Sequence, residues 1–287
     1  MHKFFFILLG FLSFSISAQN ISGIATYQTK TDVDFNMEGR QISPEMQAQI
    51  KTMMKKQFEK TYTLEFNQEE SIYQEEQNLD APGSGGFGMM MGSFQPGKRY
   101  KNITNNTFKE ETEFFGKFFL IEDNLENYEW EMTDESKQIG QYVVFKAVAT
   151  QKVDSLDFTE YRQKRKDAKE KKDAETDTIV SPLDEIELPK EKEIIAWYTP
   201  QIPIQTGPDE YWGLPGLILE LKSGKTTMLC SKIVLNPKED VDINIPSKGK
   251  SVGREEYKKI VMDKVKEMQD MYGGGRRGGR SIEFKID

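Results

Sequence analysis

Acidic and aromatic residues near position 210 are the first candidates for chemistry in this chain. Asp209 and Glu210 stand directly before Tyr211 and Trp212. Two carboxylates catalyse hydrolysis when they face each other across a cleft, roughly 5–10 Å apart, and aromatic faces beside them can stack on a sugar. A carboxylate-dependent hydrolase is therefore one hypothesis. Residues adjacent in sequence need not converge in space, however, so we predict no catalytic residues and a protein that is not an enzyme.

Histidine and cysteine chemistry is limited by composition. The single histidine is His2, inside the apolar N-terminal segment, and the single cysteine is Cys230. If His2 is removed with a signal segment, the remaining chain has no histidine and one cysteine, so it has no Ser–His or Cys–His pair for nucleophilic catalysis and no ligand set for a zinc site of histidines or several cysteines. Cys230 lies in a strand-like run and is predicted to be buried without a disulfide partner. No metal or organic cofactor is expected.

Methionine offers a different chemistry. Met89, Met90 and Met91 stand together in a glycine-rich stretch, whereas other methionines lie at helical spacing that suits a core. Thioethers are soft ligands that select Cu(I), so a methionine-based, copper-handling periplasmic protein is an alternative hypothesis. The plainer interpretation of the triplet is a loop or a surface that contacts a partner.

The N-terminus predicts export. A short basic start at Lys3 precedes an apolar run from Phe4 to Ile16 and small residues at Ser17 and Ala18, which is the pattern of a cleavable secretory signal over 1–18. No cysteine stands near the predicted cleavage point, so we expect no lipoprotein anchor. No later segment is apolar enough to span a membrane. The predicted location is the periplasm or the periphery of the outer membrane.

Net charge narrows the range of partners. The chain carries a formal charge of −8 at pH 7. That acidity argues against nucleic acid and against general adhesion to anionic lipid. An outer-membrane or other envelope protein is the partner class we expect.

Period-two alternation and short turns predict about ten strands, and two amphipathic helices accompany them. The helices span 43–58 and 254–272. Twelve segments, some as short as two residues, are strand-like and supply that tally of about ten; they are 21–30, 61–66, 71–74, 99–103, 107–115, 117–121, 129–130, 141–149, 193–199, 217–222, 225–235 and 281–286. Hairpin-length links favour a mainly β (α+β) fold, either a curved antiparallel sheet or an open barrel.

Two stretches interrupt this pattern. A Gly- and Met-rich loop is predicted at about 80–97, and a charged insertion, rich in Lys and Arg and then broken by proline, at about 159–192. The remainder reads as one domain over 19–287 that carries both insertions.

The six residues from 213 to 218 are the most specific motif in the chain: Gly213, Leu214, Pro215, Gly216, Leu217 and Ile218. Pro215 fixes φ at the second position of a turn, and Gly216 can take the positive φ of the third, so the pattern predicts a type II turn. Upstream prolines at 200, 203 and 208 exclude regular helix there. The turn is expected to lead into a buried strand.

This hexapeptide and its lead-in resemble the GLPGLI family, exported Bacteroidetes proteins named for the motif. The resemblance covers about 193–222 and the preceding strand at 141–149. It implies an exported, β-rich protein of the periplasm or outer membrane, and it supplies no catalytic residues because the family has no established activity.

Aromatic residues beside the hexapeptide are the candidate binding surface. They are Trp197, Tyr198, Tyr211 and Trp212. Exposed side by side, they would form an apolar rim that holds a partner or ligand; alternatively, motif and aromatics form a packing corner of the core. The leading hypothesis is a non-enzymatic binding or accessory protein of the cell envelope.

Overall fold

The protein is described by a computed structural model over residues 21–32, 58–76, 94–153, 191–239 and 241–273, with residues 43, 45, 46, 49 and 52. Twelve strands and one helix are defined there. The strands are β1 (Gly23–Thr31), β2 (Glu59–Phe66), β3 (Glu70–Glu75), β4 (Phe94–Asn102), β5 (Thr107–Phe114), β6 (Lys117–Asp123), β7 (Glu131–Ile139), β8 (Tyr142–Lys152), β9 (Glu191–Thr199), β10 (Leu217–Ser223), β11 (Thr226–Leu235) and β12 (Lys250–Val252); the helix is α1 (Arg254–Gly273).

All twelve strands belong to one sheet. Their order is β12-β6-β5-β4-β3-β2-β1-β11-β10-β9-β8-β7, and every pair is antiparallel except β12 with β6. Strand β1 joins the two halves because it pairs with β2 on one side and β11 on the other. The mainly β prediction is confirmed. The open-barrel alternative is wrong, because the described strands end in two separate edges, β7 and β12.

Alternating side chains explain why the central strands form. In β1, Ala25 and Tyr27 are fully buried, and in β2 so are Leu64 and Phe66. Residues two apart share one face of a strand, so each strand presents a buried stripe to the same core. The Tyr27 hydroxyl donates to the Ile218 carbonyl oxygen at 2.7 Å and so ties β1 to the hexapeptide.

The Pro-rich segment at 200–216 lies over the sheet and not at its margin. Ile202 and Ile204 pack in one buried cluster with Tyr27 and Leu217. Leu214 packs in a second cluster formed by β8, β9 and β10. The apolar side chains at 202, 204, 214, 217 and 218 therefore lie in the core, which favours the packing-corner interpretation.

The predicted type II turn in the hexapeptide is wrong. Gly216 is not among the glycines with positive φ, whereas Gly213 has φ 95°. The Gly216 amide donates to the Leu214 carbonyl oxygen at 2.7 Å, which closes a three-residue turn around Pro215. Glycine is required at 216 for a different reason: a Cβ there would lie 2.1 Å from the Thr199 carbonyl oxygen.

No strand forms at 129–130, where one was predicted; those two residues lie in the loop before β7, which runs over Glu131–Ile139. Its sequence, EMTDESKQI, is polar on both faces, and its residues are mostly exposed. It is an edge strand paired only with β8, so no buried face imposes an alternating pattern on it. The three-residue β12 was also missed, because it pairs in parallel with β6 from a distant part of the chain.

Two predicted boundaries shift. Strand β4 begins at Phe94, so the Gly- and Met-rich loop ends before 97. The loop between β10 and β11 is Gly224-Lys225, one residue later than the gap at 223–224 between the predicted strands 217–222 and 225–235. Strands β8 and β9 pair with each other on either side of the charged insertion.

Several predicted features lie outside the described residues. These are the leader at 1–18, the methionine triplet Met89, Met90 and Met91, the insertion up to residue 190, the strand at 281–286 and most of the helix at 43–58. A second helix is thus not established.

Helix α1 packs against the β5–β6 end of the sheet. Val261 is fully buried, and Tyr257 packs edge-on against Phe119, with ring centroids 5.5 Å apart. These side chains share a cluster with Phe114 and Val252. None of the helices in the described ranges is long and apolar enough to cross a membrane.

Candidate functional site

The four predicted rim aromatics are divided between two faces of the sheet. Tyr198 and Tyr211 are buried in the second cluster, whereas Trp197 packs, partly buried, against the first. Trp197 and Tyr198 are neighbours on β9, so their side chains point to opposite faces. Trp212 is partly exposed and donates its indole N–H to the Glu126 carbonyl oxygen at 2.7 Å.

The hexapeptide supports this region from within. Leu214, Leu217 and Ile218 are fully buried, whereas Gly213 and Pro215 are exposed. The three apolar side chains pack in the core, and none of the six residues carries an ionisable or hydrogen-bonding side chain. Any catalytic group or polar binding group must therefore come from neighbouring residues.

Asp209 and Glu210, the predicted acid pair, point to different arginines. Asp209 forms an ion pair with Arg99, which also contacts the Glu110 carboxylate at 3.1 Å. Glu210 pairs with Arg254 at 2.8 Å. Asp209 has a positive φ of 57°, an uncommon conformation outside glycine, which turns the backbone between the two carboxylates.

A second carboxylate approaches Glu210 from the loop before β7. The Gln151 side-chain amide donates to Glu126 at 3.0 Å and to Glu210 at 3.1 Å, so one nitrogen bridges both acids. Burial, and next the charge of Glu210, raise the pKa of Glu126. Burial also opposes ionisation of Glu210, but the Arg254 charge and hydrogen bond, with Arg99, outweigh burial and lower its pKa.

Lys101 links β4 to the Pro-rich segment. It is fully buried, and its Nζ donates to the carbonyl oxygens of Gly207 at 2.7 Å and Tyr211 at 2.9 Å. Burial lowers its pKa to about 7, although the charges of Asp209 and Glu210 oppose that shift.

Aromatic rings surround these charges. Tyr128 lies 5.2 Å from Tyr211 and 5.6 Å from Trp130, centroid to centroid. The Trp130 indole N–H donates to the Trp212 carbonyl oxygen at 2.9 Å. The Tyr211 hydroxyl donates to Ser223 at 3.0 Å. We call the whole set the 210 network: Arg99, Lys101, Glu110, Glu126, Tyr128, Trp130, Gln151, Asp209, Glu210, Tyr211, Trp212 and Arg254.

The 210 network can bind polar groups. It also holds two carboxyl groups with different pKa values, because the pKa of Glu126 is raised and that of Glu210 is lowered. Three of its carboxylates are paired with arginines, because Arg99 contacts Glu110 and Asp209 and Arg254 contacts Glu210. In the part of the chain that the structure describes, no group of three or more His, Cys, Asp or Glu residues is arranged to hold a metal ion.

The sequence analysis identified only one of the chain segments that form this network. It singled out the stretch at 209–212 but missed Arg99, Glu126, Gln151 and Arg254. These residues come from β4, the loop before β7, β8 and the first turn of α1. No local pattern marks them, since each is an ordinary polar residue until the fold brings it to Glu210.

A separate apolar surface lies on β7 and β8. Met132, Val143 and Phe145 are 60%, 47% and 39% exposed. Val143 and Phe145 share a face of β8, and Met132 pairs with Ala147 on that same face. We call these three residues the β7–β8 patch.

Comparisons with known proteins give a family signal and little else. A family model described as "Protein of unknown function (Porph_ging)" matches residues 130–220. That match covers β7 to β10 with the hexapeptide, but it is less than half of the chain, and the GLPGLI assignment itself stays a resemblance. No curated protein matches the chain.

Two solved structures match the chain at low sequence identity. One titled "Structure of PNGF-II in C2 space group" is 16% identical, with 84% of this chain and 33% of that chain covered and a TM-score of 0.45. The P21 form of PNGF-II is 14% identical, with 84% of this chain and 33% of that chain covered and a TM-score of 0.44. This chain thus spans about a third of those chains, and a likeness of this size carries no argument about function.

Proposed function

We propose that this protein is an exported, non-enzymatic binding protein of the cell envelope that holds a partner protein through the β7–β8 patch. The observation that carries the proposal is the exposure of Met132, Val143 and Phe145 on one face of the sheet. The N-terminal pattern supports export, and the expected partner is an outer-membrane or other envelope protein.

The patch differs from scattered surface apolar residues, which are normal. Its floor is fixed: the Tyr198 ring lies 6.3 Å from the Phe145 ring, and the Tyr198 hydroxyl contacts the Met132 sulfur at 3.6 Å. A fixed apolar surface loses little conformational entropy when a partner covers it, which favours binding. Tyr198, one of the predicted rim residues, thus contributes from beneath.

The two alternative functions have less support. The hydrolase hypothesis relied on Asp209 and Glu210, and each of these carboxylates is paired with its own arginine. The copper hypothesis relied on Met89, Met90 and Met91, which lie outside the described residues.

The test is capture of the partner from the native cell envelope. The full chain would be expressed in its own host, crosslinked gently, purified from periplasmic and outer-membrane fractions, and analysed by mass spectrometry. We expect one envelope protein to be recovered reproducibly. The Met132→Ser/Phe145→Ser variant is expected to lose that protein, because polar side chains remove the apolar contact.

Ile245→Ser is the matched control, since Ile245 is 51% exposed outside the patch. It is expected to capture the partner like the wild type. Melting temperatures of all variants would be measured to show that each is folded. Equal capture by the patch variant and the wild type would refute the proposal, as would recovery of the protein from the cytoplasm alone.

A further inference from the structure

Two buried polar atoms have no hydrogen-bond partner among the described residues: the Tyr128 hydroxyl oxygen and Arg254 Nη2. Buried polar groups in folded proteins are nearly always paired, so an exception calls for an explanation. Both atoms belong to the 210 network. The coincidence of two such atoms in one place suggests a function rather than a packing defect.

The two atoms lie around the same pair of carboxylates. Arg254 Nη1 donates to Glu210 at 2.8 Å and the guanidinium group lies 4.2 Å over the Phe108 ring, while Nη2 has no hydrogen-bond partner among the described residues. The Tyr128 ring lies 5.2 Å from the ring of Tyr211, whose hydroxyl donates to Gln151 Oε1 at 3.3 Å, and the Gln151 amide nitrogen bridges the two acids. Burial raises the pKa of the Tyr128 hydroxyl, and the charge of Glu210 adds to that shift.

The hydrogen-bonding groups available here suit a ligand with several hydroxyl groups. Arg254 Nη2 only donates, the carboxylates of Glu126 and Glu210 accept, and the Tyr128 hydroxyl can do either. A sugar hydroxyl both donates and accepts, so adjacent hydroxyls can satisfy such a mixed set. A simple anion would satisfy only the donors.

Charge and shape point the same way. The arginines of the network already face carboxylates, so a net positive site for an anion is absent from this cluster. The Tyr128 ring lies 5.6 Å from the Trp130 ring and 5.2 Å from the Tyr211 ring, so aromatic faces stand beside the polar groups. Apolar walls with a few placed polar groups are typical of small-molecule sites.

Access runs past the loop at 124–130, between β6 and β7. This loop carries Glu126, Tyr128 and Trp130, and it is held by the hydrogen bond from Trp212 to the Glu126 carbonyl oxygen. Glu126 is partly exposed, whereas the Tyr128 hydroxyl oxygen is buried. A ligand would therefore enter at Glu126 and displace the loop to reach Tyr128.

We infer that the 210 network is a binding site for a neutral saccharide, with Tyr128 and Arg254 as its hydrogen-bonding residues. None of its residues belongs to the β7–β8 patch, although Trp130 of the network precedes Met132 of the patch by two residues. On β8, Gln151 lies six residues from Phe145, about 20 Å along the strand. The inference therefore uses different side chains from the proposed partner-binding function.

The test uses the full mature chain and four neutral trisaccharides: cellotriose, maltotriose, xylotriose and chitotriose. Binding would be measured by isothermal titration calorimetry and by fluorescence of the flanking tryptophans. We expect at least one sugar to bind. Tyr128→Phe is expected to weaken it about tenfold or more, because the lost hydroxyl leaves a ligand group unpaired.

Stability separates a binding role from a structural one. Tyr128→Phe removes an unpaired buried hydroxyl, so its melting temperature should equal or exceed that of the wild type while affinity falls. Arg254→Lys keeps the positive charge beside Glu210 but removes Nη2, and it should weaken binding as well. Tyr142→Phe, in the other core cluster, is the matched control and should bind normally.

Three outcomes would overturn the inference: none of the four sugars binds, Tyr128→Phe and Arg254→Lys bind as the wild type does, or Tyr128→Phe lowers the melting temperature and affinity together. The partner-capture variant Met132→Ser/Phe145→Ser should bind sugar normally. These variants therefore distinguish a failure of the saccharide-binding proposal from a failure of the partner-binding proposal.

Discussion

Two glycines of the hexapeptide are required for different physical reasons. Gly213 has a positive φ of 95°, which side chains disfavour. Gly216 has an ordinary φ but lies against the backbone at the end of β9, where a Cβ would meet the Thr199 carbonyl oxygen at 2.1 Å and its carbon at 2.5 Å. The sequence shows two glycines, and only the structure shows that Gly213 is needed for its positive φ and Gly216 for a close backbone contact.

Replacement of Gly216 by alanine is expected to lower the free energy of unfolding by about 2–3 kcal/mol, because the Thr199 backbone must shift to admit the methyl group. Urea unfolding followed by tryptophan fluorescence would measure the loss. Gly253→Ala is the matched control, since a Cβ there meets nothing within 4 Å. Equal effects of the two substitutions would contradict the proposed contact.

Elements with one buried face could be predicted, and elements without one could not. Strands β1 and β2 alternate buried and exposed residues, and α1 carries an apolar side, so the sequence placed all three within about two residues. Strand β7 is an exposed, charged edge, a form that discourages pairing with other chains. The same charges remove the alternation that sequence analysis depends on.

Docking of α1 on the sheet is testable at a single position. Val261→Ala removes two methyl groups from the fully buried contact with the cluster of Phe114 and Phe119. We expect a loss of about 1–2.5 kcal/mol in the free energy of unfolding, from lost apolar burial and the cavity left behind. Lys259→Ala, on the exposed side of the helix, is expected to change stability little in the same chemical denaturation.

At the scale of the whole molecule, buried polar contacts tie together parts of the chain that are far apart in sequence. Lys101 and Arg99 on β4 hold the Pro-rich segment, and Arg254 at the start of α1 holds Glu210 within it. The segment between β9 and β10 is therefore fixed by the opposite half of the sheet. Because Lys101 is buried only in the folded protein, its protonation is coupled to folding.

An unfolded lysine keeps its proton to about pH 10.4, whereas burial lowers the pKa of Lys101 to about 7 in the folded protein. Between these values the unfolded state binds more protons, so the contribution of Lys101 to stability rises with pH and is lost as pH falls through 7. The increase is at most about 1.4 kcal/mol per pH unit.

The comparison variant for this effect is Lys101→Met. Urea unfolding at about pH 6 and about pH 8 should show the wild type gaining stability relative to this variant as pH rises. Lys259→Met controls for the loss of one positive charge. A difference between wild type and Lys101→Met that does not change with pH would show that Lys101 stays charged.

The sequence by itself determined the mainly β class, most strands with one buried face, and α1. It also marked residues 209–218 as the candidate region. These features depend on local periodicity and on turn-forming residues. The sequence located Asp209, Glu210, Tyr211 and Trp212 without their partners. Only the tertiary structure decided the order of the twelve strands, the parallel pairing of β12 with β6 and the division of Trp197 and Tyr198 between two faces.

The tertiary structure alone also assembled the 210 network. Glu126, Gln151 and Arg254 meet Glu210 because three separate chain segments converge on it. Such a meeting depends on strand order and register, which follow from the packing of the whole core. No stretch of sequence short enough to carry a local pattern contains that information.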